Sequence, residues 1–167
     1  RDDTRGGDGT VDMVTAIEKS TNTYFYKLAL DMGIDRLSQW MSRFSFGSKT
    51  GVDLIGESDG ILPSREWKAA HSKQPWYPGE TVIAGIGQGY WAVTPLQLAH
   101  AVATLAGHGV PYLPRLVMAT RAVGDAKQQP LPNPPGPSLI VKPSDWDVIN
   151  QGMRAVITGG TGKGLND

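Results

Sequence analysis

The chain has 167 residues, 16 basic against 16 acidic side chains, and a 40% hydrophobic composition. That length buries a core of its own, and zero net charge argues against a nucleic-acid binder or a polybasic membrane-surface protein, so no nucleic-acid partner is expected. The absence of cysteine excludes disulfide scaffolds, thiolate metal sites and cysteine nucleophiles.

No apolar run approaches the ~20 residues that span a bilayer. Gly (21) and Pro (12) make up a fifth of the chain against a usual share of about 12%, which predicts long ordered loops between helices. Residues 1–10, RDDTRGGDGT, are polar, Gly-rich and aperiodic, and read as a loop. Val11, Val14 and Ile17 then mark a short amphipathic helix. Phe25, Leu28, Ala29 and Met32 follow the i, i+3, i+4, i+7 rule of a second, and Leu37, Trp40, Met41 and Phe44 that of a third. Gly33 separates these two, and Asp35 suits the start of the third, where a carboxylate meets the helix dipole.

From Gly47 to Gly89, glycine and proline interrupt every periodicity and leave one short helical candidate over residues 65–70. An irregular stretch of this length in a compact domain is usually functional. Thr94 is placed to N-cap, and Pro95 to open, a strong helix with Leu98, Val102 and Leu105 on its apolar face, ended by Gly107 and Gly109. Residues 113–120 predict a strand centred on Leu116, Val117 and Met118. Residues 123–138, rich in proline, read as a surface loop rather than a polyproline ligand. Pro143, Ser144 and Asp145 start a last helix carrying Trp146, Ile149, Met153 and Val156. The tail TGGTGKGLND adds no closing element, and there are no internal repeats.

Several motif-like strings fail on spacing. Gly85-Ile86-Gly87-Gln88-Gly89 is G-x-G-x-G rather than the dinucleotide G-x-G-x-x-G, and Gly109 stands twenty residues on where an acid is needed. Gly162-Lys163 lacks the first glycine of a phosphate loop, Ile157 holding that place, and Gly164 replaces its Ser or Thr. His71, His100 and His108 show no metal-ligand spacing, and no G-x-S-x-G elbow is present.

Ser20-Thr21-Asn22 lies between the first two helices and admits two readings. Ser and Asn are preferred helix caps, and the tripeptide alone favours capping. The surrounding text changes the balance. Residues 9–32, GTVDMVTAIEKSTNTYFYKLALDM, then FGSKTGVDLIGESDGILPSREW, then KQPWYPGETVIAGIGQGYWAVTPLQLAHA, closely resemble class B penicillin-binding proteins, most of all the transpeptidases of rod-shaped Gram-negative bacteria. The likeness runs from about residue 6 to residue 162 and is weakest in the Pro-rich loop.

That resemblance implies an α/β penicillin-recognising domain, of which residues 1–167 form an internal, mostly helical segment with long loops. It implies a serine D,D-transpeptidase that cross-links peptidoglycan stem peptides ending in D-Ala-D-Ala through an acyl-enzyme, is acylated by β-lactam antibiotics, and needs no cofactor. It further implies the periplasmic face of the inner membrane, an N-terminal anchor absent from this chain, and a cell-elongation glycosyltransferase complex as partner. The alternative is a non-catalytic scaffold module that binds elongation partners.

Penicillin-binding proteins combine S-x-x-K, an S-x-N-type element and K-T-G. No serine here has a lysine three residues later, so the nucleophile and its lysine are expected upstream. Lys49-Thr50-Gly51 matches K-T-G by letter, but residues 46–54 resemble the family's F-G-x-x-T-G-x-D-L turn, so Lys49 receives no catalytic role and the functional triplet is expected downstream. By the resemblance, Ser20 relays a proton between the missing lysine and the leaving nitrogen, and Asn22 holds that lysine and a substrate carbonyl. Thr21 should face away, because a spacing of two puts Ser20 and Asn22 on one side of an extended turn. Residues 85–91 are expected to support the active-site floor by close backbone approach beneath the following helix. Trp76, Tyr77 and Tyr90 have core or loop-anchoring use as the leading reading and a sugar-stacking platform as the other.

Overall fold

Asp12 starts the first helix: its carboxylate accepts the Thr15 N–H at 2.8 Å, satisfying one of the backbone donors that every helix start leaves open. The computed structural model describes residue 2 and residues 6–124 and 126–165. Of the loop read over residues 1–10, residues 1 and 3–5 therefore lie outside the described residues, as do residue 125 of the Pro-rich loop and residues 166–167 of the tail.

Helix α1 (Met13–Glu18) leads into α2 (Asn22–Met32) and α3 (Ile34–Ser42). Gly33 ends α2 and begins α3 at a φ of 74°, a conformation that glycine adopts without strain. Phe44, expected on the third helix, lies past its end. There the Phe44 and Ser45 N–H groups reach back only three residues, to Met41 and Ser42, and the chain tightens into a turn.

Ser64 caps α4 (Arg65–Ser72) by accepting the Trp67 N–H at 3.1 Å. Helix α5 (Pro78–Ala84) is absent from the sequence reading, which took Pro78 and Gly79 as breakers. Proline is tolerated in the first turn, where its missing N–H has no intrahelical role, and Glu80 turns back to accept the Tyr77 N–H at 2.7 Å. Helix α6 (Pro95–Ala106) has the expected start, with Thr94 and Gln97 exchanging reciprocal hydrogen bonds of 3.1 and 2.9 Å.

The strand expected over residues 113–120 shrinks to β1 (Ala119–Thr120), paired antiparallel with β2 (Gln129–Pro130) inside the Pro-rich loop. Its intended centre pairs with a side chain instead. The Asp53 carboxylate accepts the N–H groups of Leu116 and Val117 at 2.6 and 2.9 Å, and Leu113, Leu116 and Met118 are left exposed. Helix α7 (Pro143–Thr158) follows, then a 3-10 turn (Lys163–Leu165).

Two packing centres hold these pieces. Ala29, Ile34, Leu37, Trp76 and Ala84 form a core cluster between α2, α3 and α5, with Met32, Met41 and Trp91 packed on it. Each large apolar side chain enclosed in this way contributes about 1.5–3 kcal/mol. Helix α1 lies on α7, where Gly152 passes so close that a Cβ there would sit 2.8 Å from Ile17 Cδ1. The long loop is tied down by Gln97, which is fully buried. Its Nε2 donates to the carbonyls of Ser45, Ser48 and Asp59 at 3.2, 2.8 and 2.7 Å. Among the described residues no helix is long and apolar enough to cross a membrane.

Candidate active site

The junction that carries Ser20, Thr21 and Asn22 is set by how α1 stops. Ser20 N–H reaches Ile17 O at 3.2 Å and Thr21 N–H reaches Ala16 O at 2.9 Å, the paired bonds of a Schellman stop that satisfy the last carbonyls of α1. That stop requires a left-handed residue just past the helix, and Ser20 fills it with φ of 55°. Glycine is the usual occupant, because a side chain there costs about 1–2 kcal/mol. Ser20 is exposed on this corner, and its hydroxyl lies 3.3 Å from the Thr161 hydroxyl.

The three residues are therefore not an extended turn. Ser20 is left-handed, Thr21 is extended, and Asn22 is already the first residue of α2. Thr21, expected to point away from the side that Ser20 and Asn22 share, is turned inward, for a reason the spacing argument did not contain. It is buried, and its hydroxyl donates to Asp8 Oδ2 at 3.0 Å, while Asp8 Oδ1 lies 3.8 Å from Lys19 Nζ. With its hydroxyl committed there, Thr21 does not cap α2, and Asp2 does so from twenty-one residues upstream. Asp2 accepts the Thr23 N–H at 2.9 Å and the Thr23 hydroxyl at 2.6 Å. The Thr23 hydroxyl first, and its N–H next, hold the Asp2 carboxyl below its ordinary value. Neither Ser20 nor Asn22 caps a helix with its side chain, and among the described residues the half-buried Asn22 amide makes no hydrogen bond.

Beneath α2 runs the segment over residues 85–91. A Cβ at Gly85 would collide with Ala29 Cβ and meet Phe25 O at 3.2 Å, so glycine here lets α5 end against α2. The close approach is made to α2, not to the following helix as expected. Trp91 Nε1 donates to Ala84 O at 3.0 Å and locks the loop on the same side.

The aromatic residues divide. Trp76 is buried and donates from Nε1 to Thr81 Oγ1 at 2.8 Å, which fits a core role. Tyr77 and Tyr90 are part-exposed and flank Lys68: its Nζ lies 4.5 Å from the Tyr77 ring centre, and the Tyr90 hydroxyl donates to Glu80 at 3.0 Å.

Lys49-Thr50-Gly51 forms a turn clamped by Glu57. Glu57 Oε1 accepts the N–H and hydroxyl of Thr50 at 2.7 and 2.6 Å, and Oε2 accepts the Gly51 N–H at 3.1 Å. Lys49 itself is exposed. Asp8, Asp2, Thr161 and Gln97 escaped the sequence reading; only Gln97, three residues after a helix-capping threonine, carried a local signal.

Among the described residues, five clefts have neither Ser20 nor Asn22 in their lining, although one of about 440 Å³ is lined by the neighbouring Thr23 and Tyr24. Among the described residues no cluster of three or more His, Asp or Glu side chains is placed to hold a metal ion. Chemically, the corner offers an exposed hydroxyl able to donate and accept, beside an uncommitted carboxamide.

The penicillin binding protein transpeptidase domain model matches residues 1–166. The peptidoglycan D,D-transpeptidase MrdA of Escherichia coli (strain K12) is 42% identical over 157 residues, 93% of this chain and 24% of that protein. The Pseudomonas aeruginosa PBP2 structure in complex with WCK 5153 superposes with a TM-score of 0.84 at 46% identity, covering 99% of this chain and 37% of the other. Helicobacter pylori PBP2 in its complex with MreC gives 0.77 at 31% identity, over 95% of this chain and 28% of the other. The chain thus spans about a quarter of the length of the curated relatives it matches, and its helical architecture is a segment of the transpeptidase α/β fold.

Proposed function

The chain belongs to the penicillin-binding protein transpeptidase domain family, and from that premise we propose that residues 1–167 are an internal segment of a peptidoglycan D,D-transpeptidase. In this reading the S-x-x-K nucleophile lies upstream and the functional K-[ST]-G downstream. The substrate is a stem peptide ending in D-Ala-D-Ala, and β-lactams acylate the same serine. The enzyme works at the periplasmic face of the inner membrane. Its partner is a cell-elongation glycosyltransferase complex, a reading supported by the Helicobacter pylori PBP2–MreC complex and by a relative whose structure coordinates polymerization and crosslinking in a peptidoglycan synthase complex.

The upstream serine gives its hydroxyl proton to the lysine of S-x-x-K as its oxygen attacks the carbonyl of the penultimate D-Ala, and the C–N bond to the last D-Ala breaks to leave the acyl-enzyme ester. Ser20 passes its proton to the leaving nitrogen and takes one from the lysine of S-x-x-K, ending as it began. Asn22 accepts from that lysine through Oδ1 and donates through its amide to a substrate carbonyl. The observation that carries this reading is the placing of Ser20: an exposed hydroxyl with no capping duty, at a left-handed corner where glycine would fit more easily. Ser45, Lys73 and His108 share this left-handed conformation, and what sets Ser20 apart is that its exposed hydroxyl opens the S-x-N string.

The test is Ser20→Ala and Asn22→Ala in the full-length protein, with acylation by labelled penicillin measured beside thermal melts. Ser20→Ala is expected to slow acylation roughly 10²–10⁴-fold, the range of positioned proton transfer. Wild-type acylation in both variants would defeat the catalytic assignment.

A further inference from the structure

We propose that Thr161 is a positioning residue for Ser20, fixing the direction in which the Ser20 hydroxyl points. The proposal rests on the reading of Ser20 as the proton relay.

The two residues are 141 positions apart in sequence, and a chain of backbone contacts brings them together. After α7 ends, Gly160 N–H bonds to Ala155 O at 2.9 Å and Gly162 N–H to Val156 O at 2.9 Å, which turns the chain back along the helix. Thr161 N–H then donates to Glu18 O at 3.3 Å. Glycine is needed for this approach, because a Cβ at Gly160 would collide with the Glu18 backbone. Thr161 is thus held through its own N–H and through both neighbours, and α7 is itself docked on α1. Its β-branched side chain has few χ1 states, so its hydroxyl has a defined direction before any substrate arrives.

Ser20 has the opposite problem. It is exposed and its side chain is short. Among the described residues, Thr161 is the one side-chain partner of its hydroxyl. A relay must present one lone pair to the donor and its proton to the leaving nitrogen, and a hydroxyl has two lone pairs and one proton. The Thr161 hydroxyl can occupy the remaining lone pair and leave the other two directions for the reaction. No proton is transferred to or from Thr161. At 3.3 Å the contact is long for a hydroxyl pair, and catalytic hydrogen bonds commonly tighten only once the complex forms.

A purely structural tie between the tail and the α1–α2 junction would show the same distance, so the experiment must separate alignment from fastening. Thr161→Val, Thr161→Ser, Ser20→Ala and the Ser20→Ala/Thr161→Val pair would be made in the full-length protein. A fluorescent penicillin is the probe; its pre-covalent affinity and its first-order acylation constant are measured separately, beside thermal melts. Thr161→Val is expected to slow the acylation constant about tenfold, as loss of one orienting hydrogen bond does, with affinity and melting temperature nearly unchanged. Thr161→Ser, which keeps the hydroxyl, should restore most of the rate. In the Ser20→Ala background, Thr161→Val should slow nothing further.

Wild-type acylation by Thr161→Val, or a failure of Thr161→Ser to restore the rate, overturns the proposal. So does an equal slowing by Thr161→Val with and without Ser20. A Ser20→Ala variant that acylates normally overturns the relay reading instead, and the two failures are told apart by which single variant keeps its rate.

Discussion

The ammonium of Lys68, among the most deeply buried side chains of the chain, lies 2.5 Å from Glu80 Oε1, joining α4 to α5. The same carboxylate accepts the Tyr77 N–H and the Tyr90 hydroxyl, so one pair fixes the helix that ends at Gly85 against α2. The packing of α5 on α2, the helix that Asn22 opens, therefore depends on a charge pair some distance from that residue.

Removing one partner of a buried pair leaves the other charge uncompensated. Lys68→Met is expected to cost roughly 3–5 kcal/mol in urea denaturation of the full-length protein. A loss below about 1 kcal/mol would place the pair in the class of exposed ion pairs and remove it from the framework of the site.

Acid should weaken the fold through a small set of carboxylates. Burial is the strongest single influence on Glu80 and pushes its carboxyl up. The hydrogen bonds from Lys68, Tyr77 and Tyr90 together outweigh it, and the group stays below its ordinary value. The Thr50 hydroxyl, followed by the Thr50 and Gly51 N–H groups, lowers Glu57 in the same way despite some desolvation. With folded-state values below those of the open chain, the unfolded state binds more protons in the acid range. The stability these groups contribute is thus present above the ordinary Glu value of about 4.3 and is lost as pH falls through the folded values. The denaturation midpoint should be flat near neutrality and drop below about pH 4, with a shallower drop in Glu57→Gln. A midpoint that rises on acidification contradicts these assignments.

Ser20→Gly separates activity from stability more sharply than the alanine variant. Glycine relieves the left-handed strain of the Schellman stop and adds a smaller backbone-entropy penalty of about 0.5–1 kcal/mol, so stability should hold or rise by up to about 1 kcal/mol. Acylation of the full-length protein should fall as far as in Ser20→Ala. A glycine variant that melts lower and acylates normally would show that Ser20 serves the fold.

Lys49→Ala should leave penicillin acylation within about twofold of wild type, since its side chain is exposed and the turn is held through Thr50, Gly51 and Glu57. A hundredfold loss, about 2.7 kcal/mol of barrier, would mean that this K-T-G is the functional one.

Local chemistry made much of the chain legible without coordinates. The spacing of Phe25, Leu28, Ala29 and Met32, the break at Gly33, the Thr94-Pro95 start and the Pro143 start each depend on residues within one or two helical turns of each other, and each gave the expected helix. The family motifs were legible for the same reason, being short strings with fixed spacing. Helix α5 was missed because Pro78 and Gly79 announce a break wherever they fall, and only the Glu80 carboxylate turning back on Tyr77 makes them a beginning.

Relationships between distant residues decided the rest. The expected strand at residues 113–120 lost its centre because Asp53, more than sixty positions earlier, took the Leu116 and Val117 N–H groups that a neighbouring strand would have used. Thr21 turned inward because Asp8 waits there, and Ser20 faces Thr161 because α7 packs on α1. The sequence by itself determined where every helix but α5 lies and which family the text belongs to, since those are properties of neighbours along the chain. Where a side chain points, and what it touches, depends on which distant donors and acceptors close packing brings within about 3 Å, and no periodicity or spacing along the chain records that.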